Sequence, residues 1–508
     1  HYKGLLVSFL LTGLIFAISP PQFKILADES NLIGASMSMY QNKTTSIPFQ
    51  GFNLDYEEFK PISIVNKRPI LYPFIVSILH SILGYSPLNG FILNFICGAL
   101  ILFLFYVYAY RFYPHYLSIL SILIFAAFPI FGIWITSSGF EGLNLLFIII
   151  LFLVYHEFLV SKDGATAELL FLTAILLMQV RYESLIFGIV VLALLPHLIR
   201  KEMIKQYSLF TCIAPLLVVP ILWQRRIFMH AAEPVRMNLN LLETSGQGFH
   251  LHSLFANLSK NIFTFSGLDP NYGFILLVSI LSIIGAYLLI KDAVIKSSDM
   301  TSQARAAVFT GTIMFVVLFV IYSFYQWGNF NLPISNRMAL VFIPFFVFPV
   351  IHCFYRILGN ARENLKIFMF VFWSLILVLF WPYASNQKIV HTLELTSEYN
   401  QILDYIEHHY DTRREKILLI SDRPSLYLIH NYGSINFAYA NARPGEIGNY
   451  SDNHFDRVLL LQRCLTATKA PLDSNKLNFP YKMIKTDKIK YDSKTFIRVS
   501  EIFNLESS

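Results

Sequence analysis

Two adjacent acids, Ala27-Asp28-Glu29, follow an apolar run that Pro20 and Pro21 bring to a stop. A carboxyl group beside a bilayer can have its pKa raised by burial and then serve as a general base. The same pair would also start a surface helix, with Asp as an N-cap and Glu in the first turn. The two roles are compatible. Lys67-Arg68-Pro69 stands directly before the apolar Ile70-Leu71-Tyr72-Pro73. Two cations there suit a lipid phosphate, or they snorkel and anchor the segment. Arg181-Tyr182-Glu183 lies between two apolar runs, where ionisable residues are costly and mark function by default. The alternative is a structural Arg–Glu pair. Glu141, after Ser137-Ser138-Gly139, and Arg337, after 329–336, are weaker signals when taken singly. His250 and His252 have a spacing that can ligate a metal, although such a pair on a loop more often does not.

The elements that must position these residues follow from the distribution of charge. Charged residues make up 14% of the 508-residue chain, against about 25% in an ordinary soluble protein. From Ser385 onward 31 of 124 residues are charged, so the tail has a soluble composition and the rest is too apolar for a soluble globule. This excludes a cytosolic enzyme, a disordered protein and a disulfide scaffold. The net charge of +7 does not imply nucleic acid, because the basic residues sit in short loops between apolar runs. Cys97, Cys212, Cys353 and Cys464 have no metal or disulfide spacing. The expected fold is an all-α polytopic membrane domain over 1–384, followed by a small C-terminal α/β domain over 385–508.

A bilayer core needs roughly 20 apolar residues per helix. Spans are predicted at Leu5–Ser19, Leu88–Tyr110, Tyr116–Ile135, Leu143–Val160, Ala167–Val180, Leu185–Ile199, Leu209–Trp223, Phe274–Ile290, Ala306–Tyr325, Met338–Tyr355 and Ile367–Trp381. Ile70–Leu83 is apolar but brief. If it does not cross, the basic loops (Arg111, Lys162, Arg200, Lys205, Lys291, Arg305, Arg356) fall on one side, which the positive-inside rule makes cytoplasmic. That gives about eleven spans plus interfacial helices, a cytoplasmic N-terminus and an outer C-terminal domain. Two outer loops are long, 20–68 and 224–271. In the first, Leu32, Ile33, Met37 and Tyr40 have helical spacing that suits a helix on the membrane surface. In the second, His250–Phe265 has Leu251, Leu254, Phe255 and Leu258 on one face. In the tail Leu395–Tyr410 reads as helix. Ile417–Ile420, Ile435–Tyr439 and Val458–Leu461 read as strands, with a Lys-rich pair of strands to close the unit. In this topology Asp28, Glu29, Lys67, Arg68, Glu141, Arg181, Glu183 and Arg337 all face the outside.

At these residues the sequence resembles the GT-C membrane glycosyltransferases, in particular the branch holding the aminoarabinose transferase of lipid A and the protein O-mannosyltransferases. The likeness rests on Ala27-Asp28-Glu29-Ser30, Lys67-Arg68-Pro69-Ile70-Leu71-Tyr72-Pro73 and Gly84-Tyr85-Ser86, and spans roughly Leu5–Tyr355. It implies an enzyme that transfers a sugar from a polyprenyl phosphate to an acceptor, with inversion. By resemblance, Asp28 would orient or deprotonate the acceptor, with Glu29 beside it. Lys67 and Arg68 would hold the lipid phosphate, with Arg181 and Arg337 as further phosphate contacts. Glu141, Tyr72, Tyr182 and Glu183 would contact substrate. The departures are Lys67-Arg68-Pro69 where the family often has Lys-Pro-Pro, and Ser30-Asn31-Leu32 where it often has an aromatic residue or Arg. A divalent metal ion is left open as a cofactor. The implied partners are a polyprenyl-linked sugar donor, a lipid or glycan acceptor ahead of a protein one, and membrane lipids, in the inner membrane of a bacterium. An O-antigen ligase or polymerase would instead use a large outer loop with Arg and His. A lipid-linked sugar flippase would place ionisable residues near mid-span.

Overall fold

The computed structural model describes residues 2–51, 62–64, 66, 68–188, 208–219, 251–265, 273–295, 300–325, 328–330, 335–358, 363–375, 394–412, 414–445, 447, 454–490 and 495–503. The chain forms two compact units. One comprises His1–Lys24, Lys67–Tyr72 and Phe91–Thr392, and the other Ile25–Asn66, Pro73–Gly90 and Leu393–Ser508. In chain order the first helices are α1 (Tyr2–Ile18), α2 (Leu26–Gln41), α3 (Leu71–Leu83), α4 (Asn89–Tyr110), α5 (His115–Ala126), α6 (Pro129–Ile135), α7 (Glu141–Ser161) and α8 (Gly164–Val180). The later ones are α9 (Leu251–Phe265), α10 (Gly273–Val294), α11 (Ser302–Phe324), α12 (Ile343–Leu358), α13 (Glu394–His409), α14 (Pro424–Leu428) and α15 (Phe437–Ala442).

The first unit is the membrane part of an integral membrane protein. Among the described residues five helices are long and apolar enough to cross: Asn89–Tyr110, Glu141–Ser161, Leu277–Val294, Ser302–Phe324 and Asn336–Leu358. They are apolar over most of their length, as a helix between lipid and protein must be. Polar residues set their ends. Lys162 takes a left-handed conformation (φ 52°) after α7, and the Asp163 carboxylate caps α8 by accepting from the Thr166 amide at 2.7 Å. The Thr301 hydroxyl caps α11 in the same way. The expected spans at 185–199, 209–223 and 367–381 lie wholly or partly outside the described residues.

One expectation is corrected here. The span Tyr116–Ile135 is not one helix: α5 and α6 meet at 70°. Phe128 is extended (φ −64°, ψ 119°) and Pro129 opens α6. A residue before proline is driven out of the α region, so the apolar run breaks there. In α9 the expected apolar face carries Phe255, 68% exposed, with Leu254 and Leu258 half-buried, which suits a helix on a membrane surface. Its buried face is the polar row Ser253, Asn257 and Asn261. The Asn257 amide donates to the Ser323 and Tyr325 carbonyls at 3.0 and 2.8 Å, and the Asn261 amide to the Gly328 carbonyl at 2.8 Å. These carbonyls at the C-terminal end of α11 have no intrahelical donor, which gives the asparagines their place.

The second unit is built on a five-stranded sheet. Its strands are β3 (Ile417–Ile420), β4 (Gly433–Ile435), β5 (Arg457–Leu465), β6 (Lys482–Lys490) and β7 (Thr495–Phe503), in the order β4-β3-β5-β7-β6. β3 runs parallel to β4 and β5, while β5–β7 and β6–β7 are antiparallel. β3, between β4 and β5, is buried along its whole length, and Leu418, Ile420, Val458, Leu460 and Ile502 form the core. The expected Lys-rich pair of strands is β6 and β7, with lysine-rich β6 at the edge, where charge deters pairing with another chain. The expected strand Ile435–Tyr439 ends at once. The Asn436 side chain accepts from the Tyr439 amide at 2.7 Å and starts α15.

The segments 25–51 and 62–64 belong to the same unit as this sheet. They supply α2 and a two-stranded ribbon of β1 (Ile47–Gln50) and β2 (Ile62–Ile64). Leu32, Ile33, Ala35 and Met37 of α2 are buried, and the helix packs on β1 and α14. The face expected to lie on lipid is therefore covered by protein. Gly34 permits this closeness: a Cβ there would sit 3.1 Å from Pro48 Cδ. Gly51 and Ser434 exchange backbone hydrogen bonds of 2.8 Å, and Gln50 Oε1 accepts from the Asn436 amide at 3.2 Å. α3 joins the same unit. At 13 residues it is about 20 Å long, short of a hydrocarbon core of about 30 Å. His80 of α3 bonds Ser36 of α2 at 3.0 Å and Asn89 at 2.8 Å, and the Tyr85 hydroxyl donates to the Ile429 carbonyl at 2.6 Å.

Candidate active site

In the helical unit the structure gathers four residues that are far apart in sequence. Glu141 opens α7, Arg181 follows the last residue of α8, Glu183 lies in the 3-10 turn Tyr182–Phe187, and Arg337 lies in the 3-10 turn Asn336–Phe342 ahead of α12. Arg337 Nη1 lies 3.3 Å from Glu141 Oε1, and Arg181 Nε lies 3.1 Å from Glu183 Oε2. The Glu141 side chain is 3% exposed and that of Arg181 4%. Tyr322 of α11 is within electrostatic reach of all four. The Arg181 guanidinium also faces the Phe140 ring, 5.4 Å from its centroid, a favourable cation–π placement.

The two pairs act as one electrostatic group. Burial alone would weaken the hold of Arg181 on its proton, but Glu183, Tyr322 and Glu141 outweigh it and push its pKa up. Burial alone would raise the Glu183 carboxyl; Arg181, its own backbone amide and Arg337 together hold it below the usual range. Both groups stay charged at neutral pH. Buried charge is tolerated only when paired, and here two cations and two anions share one site.

Backbone and amide groups shape the surroundings. The Asn94 amide of α4 donates to the Ser137 and Gly139 carbonyls at 2.7 and 2.9 Å, fixing the Ser137-Ser138-Gly139 turn. A Cβ at Gly139 would lie 2.2 Å from Glu141 Oε2, so a larger residue there would displace that carboxylate. The Trp134 indole donates to Asn336 Oδ1 at 2.9 Å and ties α6 to the turn holding Arg337. The Ser184 hydroxyl donates to Asn144 Oδ1 at 2.5 Å. Asn94, Asn144, Asn336 and Tyr322 were not among the expected site residues. Their signal was a polar side chain within or at the end of an apolar run.

The acid pair lies in the other unit, in the first turn of α2. Glu29 is 2% exposed, and its Oε1 accepts from the Ile25 amide at 2.8 Å, so it caps its own helix. Asp28 is half-buried. Lys24, 2% exposed, precedes the pair and was also missed. Of the basic pair, Arg68 is half-buried and Lys67 lies outside the described residues. Tyr72 is fully buried, and Tyr182 half-buried. His250 lies outside the described residues, and His252 lies on α9 with its side chain outside them.

Solved structures resemble this architecture from end to end. ArnT from Cupriavidus metallidurans bound to undecaprenyl phosphate matches with a TM-score of 0.58 at 9% identity, over 99% of this chain and 98% of that one. The apo state of the same protein matches with a TM-score of 0.56 at 10% identity, over 100% and 99%. The fold is GT-C-like. A looser likeness, with a TM-score of 0.46 at 11% identity over 90% and 69%, is to the apo oligosaccharyltransferase of Archaeoglobus fulgidus. No protein-family model matches the sequence, and no curated protein sequence matches it.

Proposed function

We propose that this chain is a membrane glycosyltransferase that moves a sugar from a polyprenyl-phosphate carrier to a lipid or glycan acceptor on the outer face of the membrane, with inversion. The observation that carries the reading is the cluster of largely buried Arg181, Arg337 and Glu141 with half-exposed Glu183, within a fold that ArnT shares over its whole length. In such a transfer the bond from the anomeric carbon to the carrier phosphate breaks, and a phosphate diester becomes a monoester with added negative charge. Arg181 and Arg337 stabilise that charge best where water is excluded. Glu141 and Glu183 hold the guanidinium groups in place and accept sugar hydroxyls. Asp28 takes the proton of the attacking acceptor hydroxyl, and Glu29, by capping α2, holds the turn that carries Asp28. Lys67 and Arg68 add cations for the carrier phosphate. Tyr182 lines the substrate path. The membrane is the inner membrane of a bacterium, with a cytoplasmic N-terminus.

The test compares strains carrying the wild type, Asp28→Asn or Arg181→Gln, with protein levels matched. Lipids and glycans are profiled by mass spectrometry. A sugar-bearing species present with the wild type should disappear with both variants, while its unmodified acceptor accumulates. Full modification by Asp28→Asn would end the assignment of Asp28 as base. Full modification by both variants would end the transferase reading.

A further inference from the structure

Away from the arginine cluster, a cavity of about 380 Å³ lies among α4, α7, α10, α11 and α12, within the range of ligand pockets, roughly 300–1,000 Å³. Its walls are almost all hydrocarbon, with Phe105, Ile149, Phe152, Phe315 and Phe345 prominent. The few polar groups include the Thr312 hydroxyl, already spent on the Val308 carbonyl at 2.8 Å. An apolar recess of this size can take up a hydrocarbon chain. Water is a poor occupant, because empty apolar cavities stay dry. On the rim, Ile283 and Val316 are 65% and 51% exposed, so the cavity is open sideways. Gly311 lies in its wall, and a Cβ there would meet only Phe345 Cε1 at 3.9 Å.

Two basic residues follow lining residues of the cavity in the chain. The lining residues Ile290 and Ala304 are followed directly by Lys291, which is exposed, and Arg305, which is half-exposed. The nearby acid, Asp292, is engaged by His352 at 3.1 Å and Arg356 at 3.6 Å. The cavity is separate from the candidate active site: along α7, Glu141 and Phe152 are about 16 Å apart at roughly 1.5 Å per residue.

We infer that this cavity binds one fatty-acyl chain of an anionic glycerophospholipid, with the lipid phosphate at Lys291 and Arg305. The chain fills the apolar space, and the two cations sit where a headgroup meets the ends of α10 and α11. A carrier phosphate belongs, under the proposed function, to Arg181 and Arg337 at the other end of the bundle. This binding site stands whether or not the chain transfers sugar.

Native mass spectrometry of the purified full chain tests it, with phosphatidylglycerol, phosphatidylcholine and undecaprenyl phosphate as separate probes. Phosphatidylglycerol should be retained under activation that strips phosphatidylcholine. Gly311→Leu, which puts a side chain into the cavity, should weaken retention about tenfold, a change of about 1.4 kcal/mol. Ser282→Leu, on the α10 wall, repeats the test should Gly311→Leu lose its fold, and Gly311→Ala should bind as the wild type does. Lys291→Gln with Arg305→Gln should remove the preference for phosphatidylglycerol over phosphatidylcholine. Equal retention by the wild type and a folded cavity-filling variant would overturn the site. Stronger retention of undecaprenyl phosphate that Gly311→Leu abolishes would overturn the occupant.

Discussion

Neutralising Glu141 separates an anion-binding cluster from a pair of ion bridges that only hold helices together. The Glu141 carboxylate is 3% exposed and faces Arg337 at 3.3 Å, and the Arg337 side chain is 15% exposed. Glu141→Gln preserves volume and one acceptor oxygen but removes the charge. Removing one partner of a buried pair costs about 3–5 kcal/mol. Glu183, whose carboxyl responds to the charge of Arg337, offsets part of this, so the lower end of the range applies. The unliganded variant should therefore melt several degrees below the wild type, at roughly 2–4 °C per kcal/mol for domains of 150–250 residues and less for a longer chain.

The binding side has the opposite sign. Two arginines and two carboxylates are formally neutral, and Glu141→Gln leaves the cluster with one net positive charge. A phosphate about 6 Å from the removed charge gains up to about 3 kcal/mol at an effective dielectric constant of about 20. Screening by the membrane–water boundary brings this to about 1.4 kcal/mol, a tenfold gain in affinity. The assay is thermal unfolding of the purified chain with and without undecaprenyl phosphate, since a ligand stabilises the folded state by RT ln(1 + [L]/Kd). The ligand-induced rise in Tm should be largest for Glu141→Gln, smaller for the wild type and smallest for Arg337→Gln. An equal rise for all three proteins would refute the reasoning and leave the arginines a structural role alone.

Other expectations follow from the second unit and the topology. Burial holds the His430 imidazole down at about 4, below an unfolded value of about 6.5. The neutral form is favoured in the folded state, so this stability is fully present above pH 6.5 and is lost as pH falls toward 4. At about 1.36 kcal/mol per pKa unit the loss is at most about 3 kcal/mol. His430→Phe should flatten the melting-temperature profile over that window, and an unchanged profile would count against it. Tyr85→Phe removes the 2.6 Å bond to the Ile429 carbonyl, at a cost of about 1 kcal/mol. Hydrogen exchange in α2 and β1 should quicken while the strands β5 and β7 stay protected. For topology, Ala27→Cys and Ser474→Cys should both react with an impermeant thiol reagent applied from outside intact cells. Labelling from opposite sides would overturn the eleven-span arrangement.

The apolar helices of the membrane unit were legible because lipid imposes one demand, apolarity on every face over a fixed length, and hydropathy reads that directly. What hydropathy averages over is a single backbone restriction. The Phe128-Pro129 step turns the chain by 70° although its residues are as apolar as their neighbours, and only the steric rule for the residue before proline exposes it. Periodicity has a different limit, since it states that a helix has two unlike faces but not what covers either. In α2 the apolar face is covered by β1 and α14 instead of lipid, and in α9 the buried face is the polar one, because the carbonyls ending α11 need donors. Asn436 carried its own signal as an N-cap, overridden by the β-like residues on either side.

For the candidate site the limit is sequence distance. Glu141 and Arg337 each stood out as a charge beside an apolar run, but they are 196 residues apart, and nothing local to either one names the other. The contact exists because α7 and the turn before α12 converge, and that turn is itself held by the Trp134–Asn336 bond from α6. This convergence makes a specific demand on the reading of the cluster. If the bond from Trp134 serves to aim Arg337, then Trp134→Phe, which keeps an aromatic ring and loses the donor, should weaken the undecaprenyl phosphate response of the wild type toward that of Arg337→Gln. Its own melting temperature should fall by only about the 1 kcal/mol of one hydrogen bond. A Trp134→Phe protein with an undiminished response would show that the Trp134–Asn336 bond does not aim Arg337.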